Sequence, residues 1–523
     1  MMPFISTAVV IAIAMAVADP IVETDNGKIL GMTVTVFNGT REVDVFLGIP
    51  YATPPVGERR FRPSVPAPPW KPYVLQATKK SAACIQFTPV NPLPPWVDRE
   101  SEQSEDCLYL NIWRPHIAGN NTAASKDVMV WIHGGGLNFG SASMDIYDGA
   151  VLAAEGDVIV VSMNYRLGAF GFLTLQTTPF LPQETKACWT RCSPCAGFMI
   201  TLLTSGRAII QSAGTVVHFL TDSFSKASMK ALELAESLGC TSSDTSDIVP
   251  CLQKKTARHL ALMEAFICAQ YIVCFTAVYG DEYLPHDPVL EPTESISKQF
   301  LLGNVENEGS VFASLRFWMQ FPFSKPLNVT KSDMLFFFLQ AFYFAPLHVS
   351  HAVYNLYVGS LGEQEYGKLR SALGHAIGDA FLLCPEVFFG ERLSQHDSEV
   401  YYYNMVYHST TATHVDPWMG LTHFEDVQYV FGVPLRDFSS QRYSEDDKAF
   451  SRKIIHIWST FAKSGAPPPV GEEEWPMFDT ETHSVVSLDR NSSQVETLLQ
   501  LEKCRFWETL TKPNTENSLY DCS

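Results

Sequence analysis

Asp127 to Ser143 reads DVMVWIHGGGLNFGSAS. Val128 to Ile132 is a short apolar run rich in β-formers, which predicts a buried strand. The strand runs into His133-Gly134-Gly135-Gly136. Consecutive glycines cost backbone entropy without return in a plain turn. They make sense where bare N–H groups must stand close to a ligand atom, and such amides suit the oxyanion of a tetrahedral intermediate. An ordinary Gly-rich turn is the alternative at this point.

The 523 residues are enough for several domains, but large α/β proteins of this length also form one unit. The hydrophobic fraction of 46% supplies a sizeable core. A net charge of −19 argues against a nucleic-acid partner, which would want a basic face, and favours steering of small cations. Residues 1–18, MMPFISTAVVIAIAMAVA, form an apolar run ending in small residues. This predicts a secretory signal peptide cleaved after Ala18, leaving 19–523 as a single domain with a short C-terminal tail. The run lacks a leading Lys or Arg, so an uncleaved anchor is the alternative. N-x-[ST] triplets at Asn38, Asn120, Asn328 and Asn491 fit a secreted glycoprotein. In an oxidising compartment many of the 12 cysteines should pair. Leu260 to Tyr279 is apolar but carries Glu264 and Gln270, so it predicts a buried strand or helix, not a membrane span.

Working outward, Ile21 to Val45 predicts a β-hairpin region turning at Asn26-Gly27. Val158 to Met163 is continuously apolar, as in a strand covered on both faces. Leu301 to Phe312 predicts a strand ending in an acidic turn. Ser444 to Ser464 predicts a helix: Ser444 can cap it, Phe450, Ile454, Ile457 and Phe461 share a face, and Gly465 stops it.

FLGIPYA (46–52), SEDCLYLNIW (104–113), WIHGGG (131–136) and NYRLGAFGFL (164–173) occur in that order. Together they resemble the type-B carboxylesterase and cholinesterase family, over about Ile21 to Thr511. The resemblance implies an α/β-hydrolase fold: a large, mostly parallel twisted sheet with helices on both faces and a deep gorge. It implies carboxylic ester hydrolysis through an acyl-enzyme, on a small-molecule ester, without metal or organic cofactor. Acyl transfer on this fold needs a nucleophile, an acid and a histidine in that chain order. Glu308 in NVENEGSVF matches the family's acid, with Glu306 its rival in the same turn, and His423 matches its histidine. Glu425 is a neighbour able to hydrogen-bond near the site. Gly135 and Gly136, with the amide of Ala196, would form the oxyanion hole. Trp96 lies near the position of the tryptophan that stacks on a choline-type cation. The implied disulfides are Cys84 with Cys107, Cys240 with Cys251, and Cys384 with Cys504. Cys522 lies where some relatives join two subunits, whereas Cys268 and Cys274 have no assigned partner.

The nucleophile is where the pattern breaks. The family's G-E-S-A-G is missing, and Ser193-Pro194-Cys195-Ala196-Gly197 aligns best with it. Cys195 then stands at the nucleophile's position, where a helix N-terminus would activate a thiol. Ser212 in Gln211-Ser212-Ala213-Gly214 is a second substitute that lacks the first glycine. Two further readings stay open. The chain is a naturally inactive member that keeps the scaffold for binding, or 176–198 is a splicing alteration of an ordinary enzyme. Cys188, Cys192 and Cys195 have no second ligand cluster nearby, which argues against zinc.

Overall fold

The computed structural model of the chain describes residues 19–87, 101–117, 125–175, 206–213, 221–242, 244–269, 271, 273–280, 286–287, 298–323, 326–411, 416–436 and 442–511. Ile21–Thr24 and Gly27–Leu30 form an antiparallel hairpin that turns at Asp25-Asn26, one residue before the predicted Asn26-Gly27 pair. Beyond it the chain is mixed α/β with several sheets. The first five-stranded sheet holds β1 (Met32–Val36), β2 (Arg41–Pro50), β3 (Tyr109–Pro115), β4 (Val128–Ile132) and β5 (Ile159–Met163). Its order is β1-β2-β3-β5-β4, antiparallel except for the β4–β5 pair. That parallel pair needs a crossover, which α1 (Ala150–Gly156) supplies.

The second five-stranded sheet runs β6 (Arg207–Gln211), β7 (Gln299–Val305), β8 (Glu399–Met405), β9 (Ser484–Leu488) and β10 (Gln494–Thr497) in chain order. β6 to β9 are parallel and β10 is antiparallel. β7, QFLLGNV, is buried at every position after the first, as a parallel strand covered on both faces should be. β4 and β6 end their sheets among the described residues, and both pack against one long helix. A large parallel sheet in one piece is therefore not what the described residues display.

The helices that bear on the site are α2 (Phe224–Ser237), α3 (Ala257–Cys268), α4 (Ser310–Arg316), α5 (Tyr366–Gly378), α6 (Cys384–Ser394), α7 (Glu445–Ser464) and α8 (Leu501–Thr511). α7 is the helix that touches both β4 and β6. Phe450, Ile454, Ile457 and Phe461 are its buried stripe. Glycine is needed at its end, where Gly465 takes φ 85°. The apolar run 260–279 divides into the end of α3 and a short strand, Ala277–Tyr279. α5, a π-helical turn (Asp379–Leu383) and α6 follow one another without a break. By length and composition this run is able to cross a membrane, but its most apolar window is 72% buried inside the protein, as a core helix is.

Several sequence motifs work as fasteners. Asn164 accepts the Ala142 N–H at 2.8 Å and donates to the carbonyls of Ala82 (3.0 Å) and Cys107 (3.1 Å). Arg60 grips Glu105 with two hydrogen bonds of 2.6 Å and donates to the Lys255 carbonyl at 2.6 Å. Disulfides join Cys84–Cys107, Cys240–Cys251 and Cys384–Cys504. A fourth, Cys268–Cys274, pairs the two cysteines left without partners by the sequence reading. The sequon asparagines Asn38, Asn328 and Asn491 are exposed, while Asn120 lies outside the described residues.

At the start of α7, the Ser444 side chain accepts the Asp447 N–H at 3.1 Å and the Asp447 carboxylate takes the Ser444 N–H at 2.7 Å. Ser444→Ala removes one half of this capping box. It is expected to cost about 1 kcal/mol, read as a lower denaturant midpoint with unchanged slope.

Candidate active site

The site grows from the turn that follows β7. Glu308-Gly309 sits directly on α5, where a Cβ on Gly309 would overlap the Gly374 carbonyl and the Gly378 amide. Only glycine at 309, facing glycines one helical turn apart, lets the turn lie that low. Asn307 then stitches the turn to the segment that carries His423. Its N–H donates to the Leu421 carbonyl at 2.9 Å, and its Oδ1 accepts the Leu421 N–H at 3.0 Å. Ser310 adds hydrogen bonds to the Met419 carbonyl (2.7 Å) and to Thr422 Oγ1 (2.8 Å).

This lacing brings His423 Nδ1 to 2.7 Å from Glu308 Oε2. The Nδ1–H donates to the carboxylate, which leaves Nε2 as the nitrogen for proton transfer. Glu308 is 3% exposed. Its other oxygen accepts Ser212 Oγ–H at 2.5 Å, the Val305 N–H at 2.9 Å and the Asn304 side chain at 3.4 Å. Burial acts against a charged His423, but the Glu308 charge and hydrogen bond outweigh it, so the imidazole pKa is raised. The Phe312 ring lies 5.3 Å from the imidazole, centre to centre.

Glu306, the rival acid, is elsewhere. It pairs with His408 at 2.6 Å on an exposed face. Glu425 bonds Gln428 at 2.5 Å, and its neighbour Asp426 is the carboxylate tied to the β6 end, through Gln211 at 2.6 Å. Gln211 also accepts from Trp458 at 3.1 Å. Ser212 is 5% exposed and holds φ 53°, a left-handed backbone at the end of β6. Its hydroxyl is spent on Glu308, not on His423. Ser212 therefore does not stand where a substitute nucleophile would. Its contact with the acid is the role that the sequence reading missed. The visible signal is a serine closing a strand whose partner strand leads to the acid.

The glycine loop follows β4 as expected, but β4, predicted as buried, has both end residues, Val128 and Ile132, exposed. Gly134, Gly135 and Gly136 are exposed. Gly135 takes φ 119°, and a Cβ there would overlap the Phe139 carbonyl. Gly135's own carbonyl accepts the N–H groups of Asn138 and Phe139, each at 3.1 Å. The loop is braced by Gly168 N–H on the Leu137 carbonyl (2.8 Å) and by Tyr165 OH on the His133 carbonyl (2.8 Å). His133 lies under Tyr165 with ring centres 4.5 Å apart, and burial lowers its pKa to about 4. Trp131, Tyr147, Phe424 and Phe431 form an aromatic cluster from β4 to the residues after His423, with the Trp131–Phe431 centres at 5.1 Å and the Tyr147–Phe424 centres at 6.1 Å. Cys195, Ala196, Trp96 and Cys522 lie outside the described residues. Among the described residues no cluster of three metal-ligating side chains occurs.

The chain matches the profile of the carboxylesterase family over residues 18–180 and 202–507. The match is interrupted at 181–201, the stretch that contains Cys195. Among curated proteins it is similar to the acetylcholinesterase of Bungarus fasciatus, with 31% identity covering 93% of this chain and 85% of that protein. Acetylcholinesterase-1 of Trittame loki shares 28% identity over 94% of each chain. The cholinesterase of Mus musculus shares 29% over 94% of this chain and 86% of its own length.

Burial pushes several carboxyls around this core upward: Glu264 to about 8, Glu425 to about 7, Asp426 and Asp379 to about 6. A folded pKa above the unfolded value means that the folded state binds more protons between the two values. The stability these groups contribute is full below their unfolded pKa and falls as pH rises through the folded one. His423, also raised, has the same sign, and His133, lowered to about 4, opposes it between that value and the ordinary imidazole range. Thermal midpoints are expected to fall steadily from about pH 5.5 to about pH 8, and calorimetry across that range checks it.

Proposed function

The chain belongs to the carboxylesterase family, and from that premise we propose that it hydrolyses small carboxylic esters on an α/β-hydrolase fold. The observation that carries this reading is the 2.7 Å contact between the buried Glu308 and His423, raised in pKa, in a chain that keeps an exposed glycine loop. In this reading His423 takes the nucleophile's proton through Nε2 and returns it to the leaving group. Glu308 holds the tautomer and stabilises the imidazolium. The amides of Gly135 and Gly136, joined by that of Ala196, receive the oxyanion. Cys195 is the attacking atom, its thiolate forming an acyl thioester that water then cleaves. Trp96 stacks on a cationic alcohol such as choline, a reading supported by the relatives named acetylcholinesterase and by the net charge of −19. The large sheet and the gorge belong to the same proposal. So do cleavage after Ala18, secretion, glycosylation and a Cys522 link between two copies; the disulfides fit an oxidising compartment.

A second reading, a binding protein on the same scaffold without turnover, is favoured by the interruption of the family match at 181–201. Turnover of p-nitrophenyl butyrate by this chain separates the two. Activity lost in Cys195→Ala supports the thiol enzyme, and silence supports the binding scaffold.

Within the active chain, Glu308→Gln and His423→Ala are each expected to lower kcat/KM by about 10³-fold or more. The rate should rise with pH to a half-maximal point above that of a free imidazole, since His423 must be neutral to act and its pKa is raised. Trp96→Ala should weaken tetraethylammonium binding about tenfold while leaving p-nitrophenyl butyrate turnover largely unchanged, as measured by competitive inhibition.

A further inference from the structure

Glu386 is a charged residue type with no place in the chemistry above. It sits in the first turn of α6 and is 0% exposed. Its Oε1 accepts the Gly303 N–H of β7 at 3.2 Å. Its Oε2 is buried and makes no hydrogen bond among the described residues. The Ala213 amide and the Asn304 side chain also face it.

These neighbours define its position. Gly303 gives its N–H to Glu386 and receives the Ser212 N–H on its carbonyl at 2.8 Å. Ala213 follows Ser212, and Asn304 follows Gly303. Ser212 and Asn304 are two of the three donors on Glu308 Oε1. Glu386 thus lies behind the rung of the β6–β7 ladder that aims those donors. We propose that Glu386 is a positioning residue for the Glu308–His423 pair, acting as a neutral carboxylic acid that fixes the Gly303 rung.

A buried, unpaired carboxylate would be costly there. Burial and the Glu308 charge hold its pKa well above the ordinary carboxylate range, against the pull of the Gly303 and Ala213 amides and Asn304. The titratable groups facing it are Glu308 from the turn after β7, and Tyr402 and Tyr403 from β8. Neither tyrosine supplies a positive charge. A proton on Glu386 keeps a second negative charge from standing behind the acid, while its oxygen still receives the Gly303 amide.

The inference rests on reading Glu308–His423 as the working acid–base pair, but its test needs no turnover. In ¹⁵N-histidine-labelled full-length protein, the His423 Nδ1–H resonance and the His423 titration midpoint are followed by NMR. Glu386→Gln keeps an acceptor for Gly303 and is neutral, so both readouts should match the wild type. Glu386→Asp withdraws the acceptor by one methylene, and the strongly hydrogen-bonded Nδ1–H signal should broaden or move upfield. A Glu386→Asp protein with the wild-type signal overturns the proposal. So does a Glu386→Gln midpoint lowered by about one unit or more, because that means a charge was removed. If Glu386→Asp does not fold, the Glu386→Gln midpoint decides alone. Absence of esterase activity would sink the hydrolysis reading and leave this inference untouched.

Discussion

A carboxylate that is 3% exposed must find partners on both of its oxygens, and Glu308 does. One oxygen takes a hydroxyl, a backbone amide and a side-chain amide, and the other takes an imidazole. Removing water from such a group costs several kcal/mol unless charge and hydrogen bonds replace it. The requirement reaches far along the chain. Ser212 must arrive from the end of β6, Val305 and Asn304 from β7, and His423 from a segment more than a hundred residues later. Each of these is laced in turn: Ser212 to Gly303, Asn307 to Leu421, Ser310 to Thr422. The Gly309 contact with α5 sets the floor on which that assembly stands.

The same principle organises the rest of the interior. The chain carries a formal net charge of −19, yet the buried carboxyls Glu264, Glu425, Asp426 and Asp379 are pushed to pKa values from about 6 to about 8. Burial favours the neutral form in all four, and a nearby acid reinforces it at Glu425 and Asp426. Buried cations follow a different route. Lys230 on α2 is 2% exposed and sits 2.5 Å from Asp222 and 2.6 Å from the Cys274 carbonyl. It fastens the Cys268–Cys274 loop, whose Val273 is the nearest side chain to the outer face of Gly136. Charge pairing and proton uptake thus settle different parts of the core.

What the amino-acid pattern revealed depended on how local the cause was. The strands β5 and β7, the α7 helix with its Ser444 cap and, to within one residue, the first hairpin turn are set by neighbours within a few residues, and these were legible. Glu308 and His423 were located by motif context, and the choice between Glu308 and Glu306 rested on resemblance. Spatially the two acids separate cleanly: Glu306 is turned outward to His408, Glu308 inward to His423. The role of Ser212 was not legible, because a hydroxyl 96 positions away from its acceptor leaves no local trace. Nor was the glycine pair of α5, which reads as weak helix until the Glu308-Gly309 turn is laid on it. The division into two five-stranded sheets had no signal in apolar runs, which mark strands but not their partners.

The geometry also constrains what is able to complete the chemistry. Nδ1 of His423 is committed to Glu308, so an attacking atom has to reach Nε2. Ser212 donates its O–H to the other carboxylate oxygen, Oε1. Recruiting it would require breaking a 2.5 Å hydrogen bond and turning a left-handed backbone position around. The glycine loop is held from β4 by Tyr165 and Gly168, independently of the acid's lacing. The acid–imidazole pair is thus braced by one set of contacts and the glycine loop by another. For this reason a retained Glu308–His423 contact is evidence for the scaffold's acid–base capacity, and only the group presented to Nε2 distinguishes an esterase from a binding protein.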